Sequence, residues 1–141
     1  MNTGFHILLI EDNSGDVRLI QEVLMKCKPV PELKVIEEGE TAGIYLDNLI
    51  KGNDFMPDLV ILDLNLPRVN GRDLLSKIKT NEQLKEIPVV IYSSSEAEKD
   101  IRDCYQLHAN CYVVKGFNFT QFSETIRSVF YFWSQIAKRA S

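Results

Sequence analysis

The sequence predicts an α/β fold in which helices cover both faces of one parallel five-stranded sheet. Short uninterrupted apolar runs, typical of strands buried on both faces, recur along the chain. Segments with the 3.6-residue apolar spacing of helices separate these runs, and no repeat or linker interrupts the alternation. Five such units most often form a sheet of strand order 2-1-3-4-5 with right-handed crossovers.

The first two units are bounded by caps and helix breakers. The apolar run at 5–10 ends on two acids, and Asn13 or Ser14 then caps the first helix. Two prolines end that helix before a short strand at 33–36, and Gly39 begins the second helix. The apolar faces of the two helices are Val17, Ile20, Val23, Leu24 and Cys27, then Ala42, Tyr45, Leu46, Leu49 and Ile50.

The third unit contains the central strand, predicted at 59–62. Its four branched apolar residues run without alternation and are followed at once by Asp63, while Pro67 prevents further strand. Asn70-Gly71 forms a turn before the third helix, whose apolar face is Leu74, Leu75 and Ile78. Burying a lone carboxylate costs several kcal/mol or forces the group to stay protonated, so the position of Asp63 predicts a functional site.

The last two units place polar side chains at their strand ends. The fourth strand is predicted at 87–92 and is followed by three serines, and the fifth at 111–114 ends at Lys115. Asn118 with Gln121 predicts a capping box for the last helix. The apolar faces are Ala97, Ile101, Cys104 and His108, then Phe122, Ile126, Val129, Phe130 and Trp133.

Composition excludes several classes of function. The 141 residues suffice for one domain, and 45% hydrophobic with 26% charged residues indicate a globular chain. A net charge of −4 without a long basic run argues against nucleic-acid binding. No apolar run reaches the roughly 20 residues that span a bilayer, and no signal peptide precedes the first strand. The three cysteines form no metal or disulfide pattern, so we expect reduced thiols in a cytoplasmic protein.

Three acids are expected to converge at one edge of the sheet. In the predicted order the first and third strands are neighbours, and Glu11, Asp12 and Asp63 follow their carboxyl ends. Three close carboxylates require a proton or a cation, and all-oxygen ligation favours Mg²⁺. With the serine hydroxyls and the amine of Lys115 on the same edge, the set predicts a receptor for a phosphoryl group.

At this point the chain resembles the receiver domain of two-component response regulators, a flavodoxin-like fold. The resemblance covers about residues 5–136. Smaller details resemble the stand-alone receivers paired with bacterial phytochrome kinases. The residues that carry the main resemblance are Glu11-Asp12, Asp63 within Asp-Leu-Asn-Leu-Pro, Ser93 after the fourth strand, and Lys115 after Tyr-Val-Val.

The resemblance assigns roles around the acceptor. It implies that Asp63 accepts the phosphoryl group, with Mg²⁺ as the cofactor. Asp12 is similar to the direct metal ligand and Glu11 to the acid that acts mainly through a metal-bound water. Asn65 is similar to the residue that gives its backbone carbonyl to the metal. The side chain at the same position is similar to one that sets the rate of hydrolysis.

The resemblance also assigns the switching residues. Ser93 matches the hydroxyl that turns to the phosphoryl oxygens, and Lys115 the lysine that pairs with the acceptor and then with the phosphate. Tyr112 matches the aromatic switch that follows Ser93. Small Ser94 resembles the position that leaves room for attacking groups, and Ser95 a second tuner of hydrolysis.

One position departs from the family pattern. The family usually has proline after the lysine, often with a cis bond, whereas Gly116 stands here. Glycine makes a tight turn without the roughly 3 kcal/mol of a cis non-proline bond, so we expect this loop to differ. The other acids of interest, Asp16, Asp58, Asp100 and Asp103, are interpreted as caps, strand entries or solvated residues.

The predicted function is a single-domain receiver, residues 1–141, without an output domain. It would take a phosphoryl group from a histidine kinase, possibly of phytochrome type, and signal through protein contacts. Tyr131 and Phe132 lie off the core face of the last helix, so a homodimer through the fourth helix, fifth strand and last helix is a hypothesis. The alternatives are a relay intermediate or phosphate sink, an unphosphorylated pseudo-receiver and, least favoured, an aspartate-nucleophile phosphatase. Asn65 cannot supply the second acid of a phosphatase.

Overall fold

The computed structural model describes residues 4–140, and its five strands form one parallel sheet. The strands are β1 (His6–Ile10), β2 (Glu32–Ile36), β3 (Leu59–Leu62), β4 (Val89–Ser93) and β5 (Cys111–Val114). The helices are α1 (Ser14–Met25), α2 (Gly39–Ile50), α3 (Gly71–Thr80), α4 (Glu98–Gln106) and α5 (Phe119–Tyr131), and a π-helical turn (Phe132–Ile136) continues α5. The strand order is β2-β1-β3-β4-β5, which confirms the predicted flavodoxin-like topology.

Two hydrophobic clusters lie on opposite faces of the sheet. Successive strand residues point to opposite faces, so Leu8 and Ile10 pack with α2 and α3 while Ile7 and Leu9 pack with α1 and α5. All four residues of β3 are buried. This double burial explains why the central strand is apolar without alternation.

Pairing of β1 with β3 fixes the edge at which the acids emerge. Ile10 pairs with Leu62 as the last residues of the two strands. The N–H of Asp63 then donates to Ile10 O at 2.9 Å, and the N–H of Glu11 donates to Ile36 O at 3.1 Å. The first residue after each strand is therefore still held by the neighbouring strand.

The predicted strands at 5–10 and 33–36 differ by one residue from β1 and β2, and the bounds of β4 and α4 differ for local reasons. The fourth strand begins at Val89 instead of 87, because Pro88 has no N–H for the ladder. The fourth helix begins after Ala97, its N-cap, and ends before His108, which has a positive φ of 72°. Of the apolar face predicted for that helix, Cys104 is fully buried.

The described chain ends by folding back across the opposite edge of the sheet. Arg139 Nη1 lies 2.7 Å from Asp58 Oδ1, and its guanidinium is 4.8 Å from the ring centroid of Phe5. Asp58 Oδ2 also accepts from the N–H of His6 at 2.7 Å. Asp58, interpreted as a strand entry, thus joins the start of β1 to the C-terminal segment.

Among residues 4–140, every helix is too short or too polar to span a lipid bilayer.

Candidate functional site

Three acidic side chains meet where β1 and β3 end. Glu11, Asp12 and Asp63 each offer a carboxylate oxygen, and these oxygens lie within 4.8 Å of one another. Glu11 is 1% exposed and Asp63 is 6% exposed, whereas Asp12 faces solvent. The convergence that the strand order predicts is therefore present in the structure.

The loop after β3 holds the carboxylate of Asp63 in place. Asp63 Oδ1 accepts from the N–H of Asn65 at 3.2 Å. Gly71, the first residue of α3, packs against the same loop: a Cβ there would lie 2.7 Å from the carbonyl oxygens of Asp63 and Leu64. Because both neighbours are backbone atoms, the turn needs a residue without a side chain at this position.

Lys115 contacts three carboxylates rather than one. Its Nζ lies 2.8 Å from Asp16 Oδ2, 2.9 Å from Glu11 Oε1 and 3.6 Å from Asp63 Oδ2. The pairing with Asp63 implied by the resemblance is thus the longest of the three contacts. The interpretation of Asp16 as a cap was incomplete, because the carboxylate of this first-turn residue of α1 also contacts Lys115. The sequence did contain a signal for this contact: Asp16 lies in the first turn of the helix that follows the acidic end of β1.

Burial and mutual repulsion change the protonation of the site. Burial, followed by the carboxylate of Asp63, raises the pKa of Glu11 to about 8. Burial alone would lower the pKa of Lys115, but hydrogen bonds to Asp16 and Glu11 hold that pKa above its ordinary value. The amine therefore stays charged, and without a further cation the excess negative charge is relieved by protonation of Glu11.

We expect the stability of the metal-free protein to depend on pH through Glu11. A pKa raised from 4.5 to about 8 favours the folded state below about pH 4.5, and this contribution is lost as the pH rises through 8. The difference between the unfolding free energies of wild type and Glu11→Gln should therefore decrease as the pH is raised from about 4.5 to about 8. Urea denaturation of both proteins in a chelating buffer measures the difference, and a flat difference would contradict the assignment.

The acids fit a hard divalent cation. All three offer oxygen, and no histidine or cysteine belongs to the cluster. An open cleft of about 600 Å³ beside them connects the site to solvent, and Asp12, Asn65 and Arg72 are among its lining residues. Glu11, Asp12 and Asp63 are the residues that could hold a metal here.

The hydroxyl and aromatic residues form a second connected group. Ser93 is buried at the end of β4, and its Oγ accepts from the N–H of Ser95 at 3.1 Å. The hydroxyl of Tyr112 donates to Ser95 O at 2.9 Å, and the N–H of Lys115 donates to Ser93 O at 2.8 Å. Ser94 is exposed between them. Ser95 thus joins the two residues that the resemblance makes switching partners.

The loop after Lys115 is shaped by Gly116. A Cβ on Gly116 would lie 2.8 Å from Gln121 Cβ and 3.0 Å from the backbone N of Phe122, so the loop lies tightly against the first turn of α5. The Lys115–Gly116 peptide is trans, since the cis bond among residues 4–140 is Lys28–Pro29. The loop therefore differs from the cis-proline pattern, as expected.

Comparisons with known proteins agree with this geometry. The chain is 40% identical over 128 residues to response regulator Rcp1 of Synechocystis sp., covering 90% of this chain and 87% of Rcp1. The crystal structure of the phosphorylated cyanobacterial phytochrome response regulator RcpA superposes with a TM-score of 0.93 at 40% identity, covering 99% of this chain and all (100%) of RcpA. That of Mn²⁺-bound Rcp1 gives 0.90 at 37% identity, covering 97% and 99%. Residues 7–127 match the family described as the response regulator receiver domain. With the acidic cluster and Lys115 gathered at the carboxyl edge of a 2-1-3-4-5 sheet, and with these matches, this chain belongs to the response regulator receiver domain family.

Proposed function

We propose that this receiver is a phosphorylation-controlled response regulator in which Asp63 accepts a phosphoryl group from the phosphohistidine of a sensor kinase. The observation that carries the proposal is the cluster of Glu11, Asp12 and Asp63 with Lys115 at the switch point of the sheet. A buried acid beside an ammonium group is a nucleophile whose charge is compensated but not removed. The relative RcpA, whose structure is described as phosphorylated, supports the same chemistry.

The residues of this chain have distinct roles in the proposed transfer. A carboxylate oxygen of Asp63 bonds to phosphorus as the bond to the kinase histidine breaks, and that histidine nitrogen keeps the electron pair. The ammonium group of Lys115 and the hydroxyl of Ser93, at the ends of β5 and β4, would contact the phosphoryl oxygens. When the other ring nitrogen of the phosphohistidine carries a proton, the departing group is neutral imidazole, and this chain then needs to supply no leaving-group acid.

We assign the divalent cation to Glu11, Asp12, Asp63 and the backbone carbonyl of Asn65. The support is the all-oxygen donor set, and Mn²⁺ is named in the description of one Rcp1 structure. We choose Mg²⁺ because one or two carboxylates with retained waters are its usual protein ligands. When bound, it supplies the charge neutralisation that phosphoryl transfer between anions requires.

The added phosphoryl group would act on the second connected group. Its charge, about −2, would attract Ser93 and Lys115, and Tyr112 would respond through its hydrogen bond to Ser95. The side chains at Asn65, Ser94 and Ser95 are assigned to the rate of hydrolysis. Asn65 and Ser94 are exposed, so both can meet an incoming water.

The proposed partners are a kinase and a second protein surface. The description of RcpA as a cyanobacterial phytochrome response regulator favours a phytochrome-type histidine kinase as the phosphodonor. The receiver would signal by contacts of its own surface, including a homodimer through α4, β5 and α5. On that face Tyr105 is 47% exposed, and its hydroxyl accepts from the N–H of Tyr112 on the edge strand β5. Sedimentation with and without beryllofluoride tests the dimer, and a monomer in both states would remove it.

Incubation with a small phosphodonor and MgCl₂, followed by intact mass, tests the function. We expect one labile phosphoryl adduct in wild type and none in Asp63→Asn or with excess chelator. Asp73→Asn removes an exposed acid in the first turn of α3 and should keep the adduct. Continuous phosphate release would indicate a phosphatase, and the absence of any adduct would indicate a pseudo-receiver. Onward transfer of the phosphoryl group to a histidine of another protein would indicate a relay intermediate.

A further inference from the structure

An ion-pair network outside the acidic site joins α3 to α4. Arg72, the second residue of α3, donates through Nη2 to Asp100 and through Nε to Asp103 at 3.3 Å. Arg72, Asp100 and Asp103 side chains are 25%, 27% and 24% exposed, so solvent weakens these contacts only in part. We call these three residues the α3–α4 clamp. Sequence reasoning missed it, because the two acids were interpreted as caps or solvated residues.

The α3–α4 clamp continues into the loop between β4 and α4. The hydroxyl of Ser95 donates to Asp100 Oδ2 at 2.6 Å. The N–H of the same serine donates to Ser93 Oγ, and its carbonyl accepts from the hydroxyl of Tyr112. Hydrogen bonds from Ser95 and then from Arg72 hold the pKa of Asp100 below its ordinary value, so the carboxylate stays ionised. With the N–H of Ala97, which donates to Ser95 Oγ at 3.2 Å, four groups hold Ser95, and one of them, Asp100, is itself held by Arg72 on α3.

We propose that Arg72 is a positioning residue that holds the β4–α4 loop in its unphosphorylated arrangement through Asp100 and Ser95. This inference rests on the proposed function, because it concerns the movement of Ser93 toward a phosphoryl group on Asp63. The α3–α4 clamp would thus control the movement of the loop without contacting the phosphoryl group.

If Ser93 turns toward Asp63 or Tyr112 changes its rotamer, Ser95 loses a partner on that side. If Ser95 moves with Ser93 or Tyr112, its hydroxyl must break the hydrogen bond to Asp100, because a bond that is already 2.6 Å long cannot lengthen much and persist. Asp100 cannot follow freely, since Arg72 ties it to α3. Charge-assisted contacts that exist in just one arrangement of the loop shift the equilibrium toward that arrangement.

Beryllofluoride titration at fixed MgCl₂ measures the cost of releasing the loop. We expect Arg72→Gln to lower the apparent Kd for beryllofluoride about tenfold, which corresponds to about 1.4 kcal/mol. Asp100→Asn should act in the same direction and serves as the second variant if Arg72→Gln does not fold. Arg72→Lys keeps a cation beside Asp100 and should restore most of the wild-type value. Arg102→Gln removes the same charge from an exposed position of α4 and should change nothing.

A spectroscopic comparison separates positioning from a general loss of stability. In proteins without beryllofluoride, Arg72→Gln should shift the amide signals of Ser93, Ser95 and Tyr112, while Arg102→Gln should not. An unchanged or weaker affinity, or shifts at these residues no larger than in Arg102→Gln, would overturn the proposal. If wild type itself takes up no beryllofluoride, the proposed function fails, and the amide shifts still decide whether Arg72 positions the loop.

Discussion

Lys115→Met is expected to lower the free energy of unfolding by roughly 3–5 kcal/mol at about pH 8 in metal-free buffer, the cost of removing one partner from a buried ion pair. The reason is that Lys115 Nζ lies within 4 Å of Glu11, Asp16 and Asp63, the first and last of which are buried. Without the amine, the acids can be neutralised only by protons or by a metal. The loss should therefore be smaller near pH 5 and smaller in MgCl₂ than in a chelating buffer.

The matched control for this variant is Lys138→Met. Lys138 is an exposed lysine beyond the π-helical turn, and its replacement removes the same charge from the same kind of side chain. Its effect should lie within roughly 0.5 kcal/mol, as for most surface substitutions. Urea denaturation of the three proteins at both pH values measures these differences. Equal effects of the two substitutions, or no recovery in MgCl₂, would contradict the assignment of Lys115 as the cation of the site.

Gly71→Ala and Gly43→Ala should change stability in opposite directions. At Gly71 a Cβ would lie 2.7 Å from two carbonyl oxygens and 2.8 Å from the Cα of Leu64, so we expect a loss of about 1–3 kcal/mol, typical of overpacking. Gly43 lies inside α2, and apart from the adjoining residues and the backbone of that helix, no heavy atom lies within 4 Å of its Cβ position. Alanine there should add about 0.5–1 kcal/mol by reducing the conformational freedom of the unfolded chain.

The same pair of variants also reports on the site. Gly71 packs on the carbonyl of Asp63, so the displaced loop of Gly71→Ala should weaken beryllofluoride binding as well as stability. Gly43→Ala should leave that binding unchanged, because α2 contributes no residue to the acidic cluster. Denaturation and titration of both variants provide the measurements. A Gly71→Ala protein with wild-type stability and wild-type binding would contradict the prediction, because the loop would then have accommodated the Cβ without cost.

The fold was predictable because it depends on patterns that are local in sequence. The uninterrupted apolar runs before Asp63 and before Glu11 indicated strands buried on both faces, and β1 and β3 are such strands. The bounds were less predictable. A proline at 88 moved the start of β4 to Val89, and the left-handed conformation of His108 placed it beyond α4.

The acidic cluster was predictable for a related reason. Glu11, Asp12 and Asp63 each follow a strand directly, and the order of a parallel sheet alone determines which strand ends are neighbours. The partners of these acids were predicted less well. Asp16 reaches Lys115 across 99 positions of sequence, and this contact requires the N-terminal turn of α1 to lie above the end of β5.

The α3–α4 clamp shows where sequence reasoning stops. Arg72 and Asp100 are 28 positions apart on two helices whose apolar faces were visible in the sequence. Those faces fix which side of each helix meets the sheet, but they leave the relative position of neighbouring helices undetermined.

The sequence by itself determined the sheet, its strand order and the three acids that meet at its edge, because strand burial and strand ends are encoded by consecutive residues. Only the tertiary structure decided which charges pair: Lys115 with Asp16 and Glu11, Arg72 with Asp100, and Arg139 with Asp58. The physical reason is that an ion pair forms over a few ångströms. Helix docking sets such distances through the packing of many side chains at once.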